Sequence, residues 1–166
     1  YRWLIPTKEM RAYYELNDIL YNIFDEDPDV NTITQGDISE IDLQKKNIFN
    51  LVHISVNNAT FNENTIVFNT TIFCMGIRDI NKEVDTFEKF TTNDNEIDNL
   101  NTTLAVLRRG FNKIVHGKFA EDSDDICVLN TPSAEPFTEQ YENLLDGWSL
   151  TIDLEVDDNL MCVCCE

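Results

Sequence analysis

Three aspartates at alternate positions, Asp25, Asp27 and Asp29, have the spacing of the first ligands of a calcium-binding loop. A complete loop of that kind has a glycine at its sixth position and a bidentate glutamate at its twelfth. The chain has Val30 and Gly36 at these positions instead. The pattern therefore favours a solvated acidic loop, with weak cation binding at an interface between neighbouring subunits as the alternative.

Thiols and imidazoles are the other groups that could bind metals or act as nucleophiles. Cys162, Cys164 and Cys165 form a C-x-C-C cluster, which lacks the usual spacing of zinc sites, and a terminal strand of small apolar residues is favoured there. His53 lies within an apolar run, and His116 lies at the predicted end of a helix, where a cation is favourable. We therefore predict no catalytic residues, no metal and no cofactor. A Ser/His/Asp or Cys/His site assembled only in the fold is the alternative.

Basic residues are scarce, with 12 Lys and Arg against 31 Asp and Glu and a formal net charge of -19. Sequence-reading DNA-binding proteins need clustered cations to neutralise phosphates, so the composition argues against that class. The acidic charge is interpreted either as a solvated surface or as a wall along which DNA moves without sticking. The chain is acidic, but it contains a few arginines, at Arg78, Arg108 and Arg109. They are predicted either to form salt bridges within the surface of the protein or to bind the carboxylates of a neighbouring subunit.

The length and the composition predict a single folded domain. With 166 residues, 42% hydrophobic and 10% aromatic, the chain is long enough to bury about 70% of the surface that its unfolded form exposes. We assign one domain to residues 1–166, with an N-terminal arm at residues 1–6 and a C-terminal tail at residues 160–166. No apolar run approaches the roughly 18 residues that span a membrane, so no membrane contact is predicted. Five cysteines, an odd number, favour a reducing compartment.

Periodic apolar residues predict two helices. Thr7 is the predicted N-terminal cap of the first helix, which ends near Asp25. The second helix is predicted from apolar residues at alternating steps of three and four, which are Ile97, Leu100, Leu104, Leu107, Phe111 and Ile114. We expect it to pack on the sheet through Leu100, Leu104, Leu107 and Phe111, and Gly117 to cap its end. A coiled-coil seam is the alternative, but the pattern is shorter than such a seam needs.

Strand patterns occur both between and after the helices. Between them, the predicted strands are Val30 to Thr34, which ends at a Gly36-Asp37 bend, and an antiparallel hairpin of Ile48 to Val56 and Thr65 to Ile77 with Asn57 to Asn64 as its connector. After the second helix they are Ile126 to Leu129, Pro136 to Leu145 and Trp148 to Val156, with Asp146-Gly147 as a hairpin turn before the last.

Side-chain alternation and element order predict the architecture. In the last strand Trp148, Leu150, Ile152 and Leu154 are predicted to be buried and Thr151 and Asp153 exposed. Both faces of Thr65 to Ile77 are apolar, so one face is expected to pack on helices and the other on another surface. The order α-βββ-α-βββ predicts an α+β fold, in which an antiparallel or mixed sheet carries two helices packed on one face.

Several architectural motifs resemble those of a known family. They are Val30 to Ser39 (VNTITQGDIS), Asp42-Leu43, Ile48 to Ile54 (IFNLVHI) and Gly147-Trp148. With these residues the chain resembles virion structural proteins of tailed bacteriophages, particularly those of the crAss-like group, from the first helix to the last strand. The resemblance implies a tail-terminator-like α+β fold, which is used in the neck and tail rings that join the portal to the tail.

The same resemblance implies a function. It suggests a non-enzymatic ring subunit in the neck or tail of the virion, assembled in the host bacterial cytoplasm, which connects portal-side and tail-side rings around the DNA channel. Its expected partners are copies of itself, other neck, portal and tail proteins, and genomic DNA that passes without specific contact. The acidic charge also fits a DNA conduit. The alternatives are a virion assembly chaperone and a small-ligand-binding or enzyme domain on an α+β scaffold.

Three segments are candidate contact regions, at Asn57 to Asn64, Arg78 to Asn93 and Leu160 to Glu166. Long polar loops in compact domains are often functional contacts. The candidate interface residues are Asn57, Asn58, Phe61, Asn64, Arg78, Asp79, Phe87, Phe90, Arg108, Arg109, Met161 and Cys162. We expect Arg108 and Arg109 to face a neighbouring subunit and part of the acidic charge to line the channel.

Overall fold

The computed structural model of the protein describes residues 12–40, 48–79, 95–116, 126–140 and 144–157. In chain order these residues form α1 (Ala12–Asp25), β1 (Thr32–Gln35), a 3₁₀ helix (Ile38–Glu40), β2 (Leu51–Phe61), β3 (Thr65–Ile77), α2 (Glu96–His116), β4 (Ile126–Val128), β5 (Ala134–Gln140) and β6 (Leu145–Asp157). A mixed sheet of six strands with two helices confirms the predicted α+β class. The predicted caps at Thr7 and Gly117 lie outside the described residues.

The strands form one sheet in the order β1-β2-β3-β6-β4, and β5 also pairs with β6. β1 runs parallel to β2, whereas the other strand pairs are antiparallel. β3 pairs with β6 along its whole length, from Thr65 opposite Asp157 to Ile77 opposite Leu145. The other edge of β6 is shared, because β4 pairs with its C-terminal part and β5 with its N-terminal part. β3 and β6 are therefore the centre of the sheet.

The main hydrophobic core lies between the two helices and one face of the sheet. Cross-strand partners such as Val52 and Cys74 lie on the same side, because directly paired residues share a face. The buried members are Ala12, Leu16, Leu20, Ile23 and Phe24 of α1, Val52 and Ile54 of β2, Phe68, Ile72 and Cys74 of β3, Val106, Leu107 and Ile114 of α2, and Leu150, Ile152, Leu154 and Val156 of β6. We call this side of the sheet the helix face and the opposite side the open face.

α1 and α2 approach each other closely at Gly110 of α2. A Cβ atom at this position would lie 2.6 Å from a carbon of the Phe24 ring, so a larger residue would displace the ring. Glycine inside a helix costs about 1 kcal/mol relative to alanine, and the packing of the buried Phe24 against it offsets this cost. A second contact fixes α2 on the sheet, since the indole N–H of Trp148 donates to the Leu100 carbonyl at 2.9 Å.

The open face has an apolar part and a polar part. Phe49, Leu51, Met75 and Leu145 form a small buried cluster in the apolar part, so both faces of β3 contribute buried residues, as predicted. In the polar part, side-chain hydrogen bonds join Asn57 to Asn69 and Thr71, Asn69 to Asp153, Thr65 to Glu155, and Thr71 to Thr151. Both described helices contribute to the core on the helix face, so neither covers this polar part.

The largest differences between the predicted and the observed strand boundaries lie at the ends of β2 and β5. Most of the connector predicted at Asn57 to Asn64 is strand, because β2 continues to Phe61 and pairs with β3 there, with a register shift between Val56 and Asn58. The strand predicted at Pro136 to Leu145 is β5, and Leu145 already belongs to β6. Polar composition obscured the first boundary, since a strand that is exposed to water does not need apolar side chains.

The Asp146-Gly147 pair does not form the predicted hairpin turn. It lies inside β6, where Gly147 pairs with Met75 of β3 and with Phe137 of β5. A Cβ atom at Gly147 would lie 2.0 Å from the Cys74 carbonyl oxygen, so glycine is required for this close approach of two strands. The glycine therefore marks a backbone contact in the middle of the sheet.

The buried side of α2 differs from the side predicted from its apolar periodicity. Its buried residues are Thr103, Val106, Leu107, Gly110 and Ile114. Leu104 and Ile97 are exposed, so the predicted packing through Leu104 is wrong. Apolar periodicity did not reveal this face, because Thr103 is polar and Gly110 has no side chain. The Thr103 hydroxyl is satisfied within the helix, where it donates to the Asn99 carbonyl at 2.7 Å.

The alternation predicted for the last strand is largely confirmed. Leu150, Ile152 and Leu154 are buried and Thr151 is exposed. Trp148 and Asp153 are half-buried. Asp153 accepts a hydrogen bond from the Asn69 amide at 2.7 Å, which explains why this open-face residue is partly covered.

Candidate interaction surfaces

The outer end of the β2–β3 hairpin is an exposed surface, and we call its residues 57–64 the hairpin tip. Asn57, Asn58, Phe61 and Asn64, which are all predicted interface residues, are exposed there. Phe61 leaves 79% of its surface accessible to water. Burial of such a side chain is favourable by about 1.5–3 kcal/mol. The hairpin tip therefore offers a partner an apolar contact that the fold itself does not use.

The strand at the hairpin tip also has an open edge. β1 pairs with β2 only from Leu51 to Ile54, so the side of residues 55–61 that faces away from β3 has no strand partner among the described residues. Natural proteins usually protect such edges with charges, prolines or bulges. This edge has a register shift between Val56 and Asn58, but it has no charged residue and no proline. As far as the described strands are concerned, its backbone groups can therefore pair with another chain.

A groove with a volume of about 210 Å³ lies between α2 and the β5 side of the sheet, and we call it the α2 groove. It is lined by Leu104, Leu107, Arg108, Phe111, Pro132, Ala134 and Leu150. The volume is below the roughly 300–1,000 Å³ of pockets for small-molecule ligands. The α2 groove therefore suits one inserted side chain better than a cofactor. The sequence did not reveal it, because Pro132 and Ala134 reach α2 only through the pairing of β5 with β6.

Arg108 differs from the other basic residues that the structure describes. Arg78, Arg109 and Lys113 each bind carboxylates within the fold. Arg108 is exposed and has no carboxylate at salt-bridge distance among the described residues. Its guanidinium carbon lies 5.8 Å from the centroid of the Phe111 ring, which is cation–π geometry. An arginine of this kind beside an apolar groove is a candidate anchor for the acid of a neighbour.

Arg78, another predicted interface residue, is buried among carboxylates of its own chain. It donates to both carboxylate oxygens of Asp146, at 3.0 and 2.8 Å, and to Glu96 at 2.9 Å. This bidentate pair joins the end of β3 to β6 and to the start of α2. Arg78 is therefore occupied within the fold and is not an exposed anchor. Asp79 is exposed, and its backbone N–H donates to the Asn95 side chain at 2.6 Å.

The solvated loop predicted at Asp25, Asp27 and Asp29 is only partly correct, because Asp25 and Asp29 are exposed but Asp27 is buried. Asp27 is buried, and Arg109 donates to its two carboxylate oxygens at 2.7 and 2.8 Å. Arg109 also donates to Asp29 at 2.7 Å. Burial opposes ionisation of Asp27 and is the largest single influence on its pKa. The hydrogen bonds from Arg109 and from the Asp29 backbone N–H, together with the charges of Arg109 and Lys113, outweigh it and hold the pKa of Asp27 below its ordinary value of 3.8. These carboxylates therefore have a cation from the chain itself.

His53 and Cys74 are buried in structural roles. The Gly36 carbonyl can only accept, so His53 Nε2–H donates to it, while Nδ1 accepts from the Thr34 hydroxyl, both at 2.9 Å. Burial lowers the pKa of His53, which favours the neutral ring that this pattern needs. Burial also raises the pKa of the Cys74 thiol, which makes it a poor nucleophile.

The remaining candidate interface residues, Phe87, Phe90, Met161 and Cys162, lie outside the described residues. Within the described ranges, no group of three or more His, Cys, Asp or Glu side chains is placed to hold a metal ion. No helix in these ranges combines the length and the apolar character needed to cross a membrane.

The structure thus brings four of the predicted interface residues together at the hairpin tip and places one other, Arg108, at the α2 groove. Neither the protein-family models nor the curated proteins compared with the chain gave a match.

Proposed function

We propose that the protein is a structural ring subunit of a bacteriophage neck or tail, which forms a closed homo-oligomer and connects portal-side and tail-side rings around the DNA channel. The resemblance of residues 30–39 and 48–54 to crAss-like phage virion proteins, with the tail-terminator-like fold that it implies, motivates the proposal. In this role the chain does no chemistry. Its side chains serve folding, contacts between subunits and the passage of DNA.

The hairpin tip is the observation that carries the proposal. Phe61 is 79% exposed at the end of a strand whose outer edge has neither charge nor proline. In an isolated molecule such a surface invites aggregation. In a ring the same surface is covered, because every subunit has a neighbour on each side. The exposed hairpin is therefore better suited to a subunit of an assembly than to a monomer.

The charge of the chain supports the same role. A net charge of -19 opposes non-specific attachment to nucleic acid, since phosphates are held by clustered cations. Of the four basic residues that the structure describes, three are already paired with carboxylates. A conduit for DNA needs a wall of this kind, which repels phosphates instead of binding them.

The direct test is the oligomeric state of the purified protein, measured by mass photometry and negative-stain electron microscopy. We expect closed particles with a uniform number of subunits and an axial opening. Monomers alone at all concentrations, even after addition of the neck and tail proteins of the virion, would contradict the proposal. Mass spectrometry of purified virions tests the assignment to the particle. A ring subunit is present there in fixed stoichiometry, whereas an assembly chaperone is present in infected cells and absent from mature virions.

A further inference from the structure

The hairpin tip presents an aromatic side chain and an acid close together. Phe61 and Glu63 are both exposed, and they are separated by one residue at the turn. Asn62 closes this turn, since its backbone N–H donates to the Thr65 carbonyl at 2.9 Å and its side-chain amide donates to the Thr65 hydroxyl at 3.3 Å. The turn is therefore held in place before any partner binds, which reduces the ordering cost of binding.

The α2 groove presents the complementary groups. Its lining is mainly apolar, as an inserted aromatic ring requires, and aromatic anchors in such pockets contribute most of the binding energy of many interfaces. Arg108 lies in the same lining and is the described basic residue without a carboxylate partner. Its contact with the Phe111 ring uses one face of the guanidinium and leaves N–H donors for an acid. The groove thus fits an aromatic side chain beside a carboxylate.

The two surfaces cannot meet within one molecule. The hairpin tip belongs to β2, whereas the α2 groove lies on the β5 side, and β3 and β6 separate the two strands. Neighbouring strands are about 4.8 Å apart, so roughly 14 Å of sheet lies between β2 and β5. A contact between them joins two different surfaces of two copies, and contacts of this kind repeat into closed rings or open filaments.

We infer that the hairpin tip of one copy inserts into the α2 groove of the next, with Phe61 in the apolar lining and Glu63 paired with Arg108. The inference rests on the proposed ring function and specifies the contact between adjacent subunits that such a ring needs. The match of both apolar character and charge identifies a second copy of this chain as the occupant. Phe61 leaves the largest exposed fraction of any large apolar residue that the structure describes, so the contact covers the side chain that is least favourable in water.

Charge reversal tests the polar half of the contact. Glu63→Arg and Arg108→Glu each place like charges opposite one another, and each is expected to weaken self-association by about tenfold or more. The double variant restores opposite charges and is expected to recover most of the lost affinity. Asp18→Arg changes an exposed acid on α1 and is the matched control, which is expected to associate like the wild type. Thermal unfolding verifies that every variant is folded.

Photo-cross-linking tests the apolar half. p-Benzoylphenylalanine is introduced in place of Phe61 in a mixture of ¹⁴N- and ¹⁵N-labelled protein, so that links between copies carry both isotopes. We expect links from position 61 to peptides of α2 or β5 of the other copy. The same probe in place of Tyr14, an exposed aromatic residue of α1, is the control and is expected to give no links to these peptides.

The outcomes separate this inference from the proposed function. If the wild type forms rings and both single charge reversals assemble equally well, the inference is overturned while the ring function stands. Links from position 61 only to segments outside α2 and β5, or only to another virion protein, also overturn it, because a different occupant then fills the groove. If the wild type does not self-associate with or without virion partners, both the inference and the proposed function are overturned.

Discussion

At the scale of residues, arginine–carboxylate pairs decide which charges are available to partners. Arg78 and Arg109 hold the buried acids Asp146 and Asp27, each through two hydrogen bonds. A buried carboxylate is tolerated only with such compensation, because removing it from water is costly. These two arginines are therefore needed by the fold. Arg108 is one position from Arg109 on α2 but points to a different surface, where it contacts Phe111.

The Asp27–Arg109 pair predicts a specific dependence of stability on pH. Asp27 has a lowered pKa, so its contribution is present above the unfolded value of 3.8 and is lost as pH falls through the lower value of the folded protein. Arg109→Met leaves Asp27 buried without its cation and is expected to cost about 1–3 kcal/mol at pH 7. The difference in free energy of unfolding between the wild type and the variant should become smaller as pH falls below 4, because Asp27 is then protonated in the variant. Urea unfolding at pH 7, 5, 4 and 3 measures it.

Lys113→Met is the matched control for this experiment. Lys113 also forms an ion pair between α2 and the end of α1, with its Nζ 3.3 Å from a carboxylate oxygen of Glu26, but Glu26 is exposed. Exposed ion pairs contribute at most about 1 kcal/mol. Two results would show that Asp27 is not stabilised by Arg109. One is a loss of unfolding free energy for Arg109→Met that is no larger than the loss for Lys113→Met, and the other is a loss that does not depend on pH.

Sequence reasoning at this scale identified residue types but not their pairs. It singled out the three arginines and the aspartates after α1, yet it could not connect Asp27 with Arg109, which is 82 positions away. The two meet only because α1 and α2 pack side by side on one face of the sheet. The same limit applies to Arg78 and Asp146, which are brought together by the pairing of β3 with β6.

At the scale of elements, the side of α2 that faces the sheet determines the roles of two leucines in its predicted apolar pattern, Leu104 and Leu107. Leu107 is buried in the core, so Leu107→Ala is expected to destabilise the fold by about 2–5 kcal/mol. Leu104 is exposed in the α2 groove, so Leu104→Ala is expected to cost less than about 1 kcal/mol. Chemical denaturation of both variants makes the comparison. Equal losses of stability would place both leucines in the core, as the sequence alone predicted.

The close approach of the paired strands β3 and β6 at Gly147 gives a second prediction at this scale. Alanine at this position would place Cβ 2.0 Å from the backbone oxygen of Cys74, and the backbone of a central strand cannot move aside easily. Gly147→Ala is therefore expected to cost more than about 4 kcal/mol, at the upper end for single substitutions. At Gly76 the nearest atoms belong to the side chains of Asn99 and Asn50 at 3.0–3.2 Å, so Gly76→Ala should cost clearly less. Circular dichroism and thermal unfolding measure the effect of both substitutions. A Gly147→Ala protein with the structure and the unfolding temperature of the wild type would disprove the close contact.

Elements with regular patterns were predictable, and those defined by long-range pairing were not. The strict alternation of β6 and the apolar stripe of α2 located both elements, because periodicity reflects burial directly. The extension of β2 to Phe61 and the parallel pairing of β1 depend on which strands become neighbours. The Asp146-Gly147 dipeptide is a common turn signal, but here each of its residues has a tertiary role. Asp146 forms a buried ion pair, and Gly147 allows the close approach of two paired strands.

At the scale of the whole molecule, the described Lys and Arg side chains are confined to one side of the sheet. The Lys and Arg residues of α2 are Arg108, Arg109 and Lys113, and Arg78 contacts the start of the same helix through Glu96. The polar part of the open face carries Asp153 and Glu155 among Asn and Thr side chains. The described Lys and Arg residues thus lie on the helix side, where three of the four are paired with carboxylates, whereas the polar part of the open face presents acids and none of these cations. If one face of the described sheet lines a DNA channel, the open face is suited to it.

For the proposed ring, this asymmetry predicts which acids face the DNA. We expect Asp153 and Glu155 to face the lumen and Arg108 to face a neighbouring subunit, because phosphates are repelled by an acidic wall and retained by Lys or Arg through counterion release. Virions that carry Asp153→Lys and Glu155→Lys should assemble normally but release DNA more slowly, as followed by the fluorescence of a DNA-binding dye. The control reverses Asp18 and Asp25, which are exposed on α1, and should leave the release rate unchanged. An assembled structure without an axial channel, or with a lumen lined mainly by Lys and Arg, would rule the idea out, as would equal release rates for both pairs of variants.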